Sequence, residues 1–288
     1  MHDAKRMIEK YNRAKTYRTN FEPLFEECYE YALPMRESFY HEVAGQRRDD
    51  KIFDETAVVG VQEFASRLQS GLVPNFARWA DLLAGSEIPA EQAEEVNNQL
   101  DTVTDYVFEV IQNSNFGQEI HESFMDLAVG TGILLVEEGD AINPVRFNAI
   151  PLTSVVLDTG PDDRIDHIYR ERKLKNSEIP VAYPKGNISE RLARDIQSQP
   201  DAETTIVEAV CRDYSKPNVE AYTYDVVDIG REDTIFHDVF KGLGSCPFIP
   251  FRWSKASGEV YGRGPLINAL SAIKTTNLTI ELILENAQ

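Results

Sequence analysis

The 288-residue sequence has only three cysteines and five histidines, and these scarcities narrow its chemistry. Cys28, Cys211 and Cys246 are odd in number and far apart, which fits neither a disulfide framework nor zinc-ligand spacing. His2, His41, His121, His167 and His237 form no pair three or four residues apart, and no HExxH motif occurs, so the spacing offers no metal site. The chain has no G-x-S-x-G elbow, no cysteine near a histidine and no glycine loop followed by a phosphate-binding lysine. No apolar run approaches the roughly 18–20 residues needed to cross a bilayer. The opening Met1–Lys15 is charged throughout and lacks the apolar stretch of a secretory signal. The expectation is a soluble chain from a reducing compartment, with no cofactor, no metal and no membrane partner.

Positive charge is scarce as well. Against 48 Asp and Glu stand 29 Lys and Arg, a formal net charge of −19. Between Arg78 and Arg146 there is no Lys or Arg, while 14 acids occur from Asp81 to Asp140. Residues 1–78 hold 12 bases and 13 acids, and residues 146–288 hold 17 and 21, so one central segment supplies most of the imbalance. A basic clamp that binds nucleic acid by neutralising phosphates is excluded. The 42% hydrophobic content excludes wholesale disorder, and the length is enough for two domains or one with a large appendage.

What is present is helical texture first and β texture later. Ile8, Tyr11, Ala14 and Tyr17, then Phe21, Leu24, Phe25, Cys28 and Ala32, recur at helical spacing up to Pro34. Residues 35–52 read as a polar loop. Ala57, Val58, Val61, Phe64, Ala65, Leu68 and Leu72 describe another amphipathic helix that closes at Pro74. In the acidic segment, Val96, Leu100, Val103, Val107, Val110 and Ile111 form one apolar face, and Phe116, Ile120, Phe124, Leu127 and Ala128 another. Glu94, Asp101, Asp105, Glu109, Glu119, Glu122 and Asp126 fall mostly opposite those faces. Strands are expected at Ile133–Val136, Val145–Ile150, Val155–Leu157, Ile165–Arg172, Thr205–Tyr214, Val219–Val227 and Thr234–Val239, with a short helix at Ile188–Gln197. Turns are expected at Lys216-Pro217-Asn218 and Gly230-Arg231-Glu232. Pro247 and Pro250 keep Cys246–Trp253 extended. Helical texture resumes after Pro265 through Leu266, Leu270, Ile273, Asn277, Ile280 and Leu284, with Ile267, Leu278 and Leu282 on another side. The order argues for an α+β fold and not a doubly wound sheet. The last helix reaches Gln288 with no capping signal, so the natural protein is expected to continue or neighbouring subunits to cover it.

Two glycine motifs invite a phosphate-loop reading. Gly130-Thr131-Gly132 has the wrong order, helix before strand, and reads as a turn. Gly262-Arg263-Gly264-Pro265 has the better order, an extended segment and then a helix with Pro265 at its first position. An anion could sit there on Arg263, or Arg263 could close an ion pair beside a tight turn. Trp79 reads as an aromatic anchor beside a helix end. Asp162-Asp163 and Glu137-Glu138 read as solvated turn acids, and nothing singles out an enzyme.

Four motifs taken in order carry a family resemblance. They are Leu68-Gln-Ser-Gly-Leu-Val-Pro-Asn-Phe-Ala-Arg-Trp79, Ala128-Val-Gly-Thr-Gly-Ile-Leu-Leu-Val136, Cys246-Pro-Phe-Ile-Pro-Phe-Arg-Trp253 and Tyr261-Gly-Arg-Gly-Pro265. With the opening helices they cover nearly the whole chain and resemble the portal proteins, or head-to-tail connectors, of tailed bacteriophages, most of all those of short-tailed phages. The resemblance marks Trp79, Gly130, Gly132, Pro247, Pro250, Trp253, Tyr261, Gly262, Gly264 and Pro265 as structural motif residues. It implies a helical wing over residues 1–160, a β-rich stem and clip region over 161–253, and the start of a returning stem helix over 254–288. The remaining wing and the crown would be absent. It further implies a homo-oligomeric ring, usually of twelve subunits, at one capsid vertex of the virion, assembled in the host cytoplasm. Expected partners are the terminase large subunit, tail adaptor proteins, capsid and scaffolding proteins, and double-stranded DNA that passes without sequence specificity.

On this reading the acids have a mechanical role, since carboxylate walls repel phosphate instead of gripping it. A solvated outer helix face is the plainer alternative. Arg263 and Lys274 are the candidates for DNA or intersubunit contact. The rival functions are another phage head-tail adaptor protein, or an acidic hydrolase using Asp158, Asp162 and Asp163.

Overall fold

The computed structural model describes residues 4–40, 51–215 and 219–287. Helix α1 (Ala4–Arg18) and helix α2 (Glu22–Ala32) divide the first periodic run. Pro23 is the reason. Inside a continuous helix its ring would meet a carbonyl one turn back, whereas in the first turn of a new helix it is tolerated. The second half of the loop expected at 35–52 lies largely outside the described residues. Helices α3 (Thr56–Leu72), α4 (Ala90–Asn113) and α5 (Phe116–Val129) follow.

The β texture forms two antiparallel sheets, and the fold is α+β. Strands β1 (Thr131–Glu138) and β2 (Val145–Ala149) join a late strand, β8 (Phe248–Arg252), in the order β2-β1-β8. Between them β3 (Val155–Thr159), β4 (Ile165–Lys175), β5 (Glu203–Arg212), β6 (Ala221–Asp228) and β7 (Asp233–Lys241) make a five-stranded meander. The short helices α6 (Ile179–Ala182) and α7 (Glu190–Ser198) interrupt it, and Ser189 caps α7 by accepting from the Leu192 N–H. The turn expected at Lys216–Asn218 lies outside the described residues. Helix α8 (Pro265–Ala287) closes the order.

One apolar core joins the two sheets. Phe25, Cys28 and Tyr29 of α2, Ile133 and Leu135 of β1, Val155 and Leu157 of β3, Ile168 of β4, Phe248 of β8 and Leu266 and Leu270 of α8 belong to the same buried cluster. Two sheet edges are blocked by side chains, which prevents unwanted strand pairing. On β2, Asn115 donates to the Phe147 carbonyl at 2.7 Å and accepts its N–H at 2.9 Å, and Glu119 accepts the Ala149 N–H. At β3 and the turn before it, the buried Arg18 donates to the Leu152, Thr153 and Val155 carbonyls, and the Tyr261 hydroxyl accepts the Leu157 N–H at 3.1 Å.

Two expectations for the acidic helices are corrected. On α4, Thr104 and Phe108 are buried, while Val103 and Val107 are 47% and 41% exposed. The extended strap at 78–85 lies along α4 and selects the buried side. Leu82 N–H donates to Thr104 Oγ1, Ala84 N–H to Asn97 Oδ1, and Arg78 bonds Asp101 and Asp105. On α5, Asp126 was expected among the solvent-facing acids but is only 1% exposed. The Tyr29 hydroxyl donates to it at 2.9 Å and the Arg36 guanidinium lies 3.5 Å away while also pairing with Glu122.

Burial pushes the Asp126 carboxyl up to about 6, with Glu122 adding to the rise, although Arg36 and the Tyr29 hydroxyl favour the charged form. Between about pH 4 and 6 the folded chain therefore holds a proton that the unfolded chain has released. Protonated Asp126 favours folding below about pH 4, and that share is lost as pH rises through 6. Denaturant midpoints of native and Asp126→Asn chains at pH 4.5 and 6.5 should show the native chain losing roughly 2 kcal/mol relative to the variant. An unchanged difference would place the titration elsewhere.

Candidate functional site

The glycine motifs, more than a hundred residues apart in sequence, meet in space. Helix α5 ends at Val129, Gly130 is its C-cap, and β1 starts at Thr131. The segment Tyr261–Gly264 crosses this turn just before α8 begins. Gly264 N–H donates to the Val129 carbonyl at 2.8 Å, Gly262 N–H to Thr131 Oγ1 at 2.9 Å, and Trp253 N–H to the Gly130 carbonyl at 3.0 Å. A methyl group on Gly262 would run into the Gly130 carbonyl, and one on Gly264 into the Ala128 carbonyl. Gly132 is held to the same standard by the Phe251 ring and the Ser123 carbonyl. Apart from the Phe251 ring, these contacts are backbone against backbone, and only residues without Cβ permit them.

The other motif residues support the crossing. The Val136 N–H bonds the Pro247 carbonyl at 2.9 Å, and the alternation of the antiparallel ladder then leaves Pro250, opposite Ile133, with its missing N–H turned away from β1. Trp253 packs edge-on to Phe64 of α3, with ring centroids 5.1 Å apart. Tyr261 is fully buried and its ring lies against Phe21 and Phe25 at 5.4 and 5.6 Å. Pro265 starts α8 at the position where its lack of an N–H costs nothing. Leu266, Leu270 and Asn277 are the buried residues of α8, and Asn277 accepts the Phe53 and Asp54 N–H groups. Farther along, Leu278, Leu282, Ile283 and Leu284 are 48–58% exposed.

The two basic candidates sit apart from the crossing's interior. Arg263 is exposed and its guanidinium binds Glu259 at 2.6 and 2.8 Å, the ion pair weighed as one of its two readings. Lys274, one face of α8 away, pairs with Glu27 of α2 at 2.9 Å. Trp79 lies at the far end of α3, 39% exposed, stacked on Phe116 and edge-on to Phe108, where it walls a cleft of about 910 Å³. Asp158 faces Arg13 at 3.4 Å and Asp163 faces Lys255 at 3.3 Å. Among the described residues, no group of three His, Cys, Asp or Glu side chains could hold a metal ion, and no helix is long and apolar enough to cross a membrane.

Arg18 escaped the reading of residues, although it ties three carbonyls of the β2–β3 connection to α1. A signal existed. Arg18 falls four residues after Ala14 and seven after Tyr11, on the apolar side of its helix, where an unpaired cation would be costly.

Among known proteins, the family described as bacteriophage head to tail connecting protein matches residues 4–288. A curated relative named "Probable portal protein", from Bordetella phage BPP-1, is 22% identical over 293 residues, covering 94% of this chain and 50% of its own length. The chain spans about half the length of that relative.

The glycine crossing predicts a graded response to added methyl groups. Gly262→Ala and Gly264→Ala should each cost roughly 2 kcal/mol or more, because backbone must shift. Gly71→Ala, in α3 with nothing within 4 Å, should be neutral or stabilising by up to about 1 kcal/mol. Urea unfolding of the three variants checks this, and equal effects at all three positions would remove the crossing's special status.

Proposed function

The chain belongs to the family of bacteriophage head to tail connecting proteins, and on that premise we propose that it is part of a portal subunit, a ring-forming conduit for double-stranded DNA. The match over residues 4–288 is the observation that carries this reading. Membership makes it a component of the phage particle with a connector role. The ring itself, its expected twelve-fold count, its place at a capsid vertex, packaging and ejection are the proposal.

Three features support it. The outer part of α8 presents Leu278, Leu282, Ile283 and Leu284 to solvent on more than one side, apolar surface that neighbouring subunits in a ring would cover. The segment between Arg78 and Arg146 holds acids only, which suits a wall that DNA slides past. The residues offer no phosphate loop with its lysine, so nucleotide hydrolysis would belong to a separate terminase motor.

In this reading residues 1–160 form the first wing part, 161–253 the stem and clip region, and 254–288 the start of the stem helix. Because the shared core spans these parts, they would move together as one body. Terminase large subunit, tail adaptor proteins, and capsid and scaffolding proteins would dock on the ring. In this reading the chain serves a structural role and would carry no catalysis of its own. Assembly would take place in the host cytoplasm.

Negative-stain microscopy of the purified protein should show rings of about twelve subunits, whereas monomers at every concentration would contradict the portal reading. Arg263→Glu places two carboxylates four residues apart beside the α8 start. If this turn meets DNA or a neighbour, rings or DNA-filled heads should fall severalfold in number; normal rings with normal filling would remove Arg263 from that role.

A further inference from the structure

Helix α4 carries a second uncovered surface, distinct from α8. At 100° per residue, Val96, Val103, Tyr106, Val107 and Val110 fall within about 100° of one another, on the side away from the Thr104–Phe108 contact. Val103, Tyr106 and Val107 are 47%, 65% and 41% exposed. Glu91, Glu95 and Glu109 border this strip on one side, are exposed, and make no ion pair among the described residues. Asp105 and Asp101 continue the same acidic flank farther round the helix, where Arg78 takes them up, and the strip's other side runs through Leu100 to the buried Thr104. An exposed tyrosine among valines with an acidic rim is the composition of a docking surface, not of a solvated face.

The rim restricts what can cover the strip. No pairing of two α4 helices supplies a counter-charge, since α4 contains six acids and no base. The complement must bring cations on apolar stems. Among the described helices only α1 has a positive balance, with Lys5, Arg6, Lys10, Arg13, Lys15 and Arg18 against Glu9. Arg18 is buried and Lys15 is bound to Glu171 at 2.6 Å, both engaged by this molecule. Arg6, Lys10 and Arg13, at positions i, i+4 and i+7, run as a stripe along the other side. The Arg13 side chain is 79% exposed even with Asp158 at 3.4 Å.

We propose that α4 of one copy docks on α1 of the next copy. Arg6 to Arg13 and Val103 to Val110 each span two turns, about 10 Å along the helix. The methylene stems of the basic stripe lie over the valines while their heads reach the glutamate rim, and the Tyr106 ring offers a face to a guanidinium. The two surfaces are unlike, so the contact is heterologous and propagates around a ring. This docking rests on the ring reading above and names the surfaces that would form it.

A photocrosslinker locates the contact directly. With Tyr106→p-benzoylphenylalanine in the full chain, irradiated oligomer should yield a crosslinked dimer whose linked peptide lies within residues 4–18. Rings that form but crosslink elsewhere, to another protein or nucleic acid, or not at all would overturn the docking and leave the portal reading standing. A chain that stays monomeric would overturn both. A charge exchange gives an independent check. Glu95→Arg with Glu109→Arg should weaken association roughly tenfold, and adding Arg6→Glu with Arg13→Glu should restore most of it. Loss without restoration would also count against the pairing.

Discussion

The close approach of two backbone segments at Gly130 and Gly262 sets the geometry of everything after it. The N–H of Gly264 bonds the Val129 carbonyl, and Gly262 and Gly130 leave no room for a side chain between them. Helix α8 therefore leaves the body in a direction set by the end of α5. One residue earlier, Tyr261 carries the same constraint to the five-stranded sheet through its hydroxyl and the Leu157 N–H. Arg18 adds a second tie to that edge from α1. A helix whose outer part, from Leu278 on, is largely uncovered needs such a root, because its buried residues are Leu266, Leu270 and Asn277, with Ile267 and Ile273 packed against the core.

Charge separates the molecule's surfaces by task. The one strongly basic helix among the described residues, α1, lies on the five-stranded sheet, with Lys15 bound to Glu171 and Arg13 near Asp158. The acids concentrate on α4, α5 and the turn after β1, where Arg78 and Arg36 are the bases that answer them. Such a division favours contacts between unlike faces over contacts between like ones, which suits a connector built from repeated copies.

Much of this was legible from residue patterns, for identifiable reasons. Strands and helices with a strict apolar period, such as α3, α5 and β5, fall within a few residues of their expected bounds, because one buried face fixes the period. The face of α4 was misread because the strap at 78–85 that covers it has no period of its own and acts through single side chains, Thr104, Asn97 and Arg78. Asp126 was misread because its partners, Tyr29 and Arg36, lie some ninety residues earlier. The glycines were recognisable as motifs, but their meeting is a property of the tertiary fold. Pattern showed that Gly130 and Gly262 were turn residues; only the structure shows that each is needed for the other.

The glycine crossing is a rigid root and not a hinge. Native-state hydrogen exchange measures this most directly. The amides of Gly262, Gly264 and Trp253, together with the first turns of α8, should exchange as slowly as those of the central strand β5, opening only with the whole molecule. Exchange at the crossing as fast as in the last turns of α8, with β5 still protected, would contradict it.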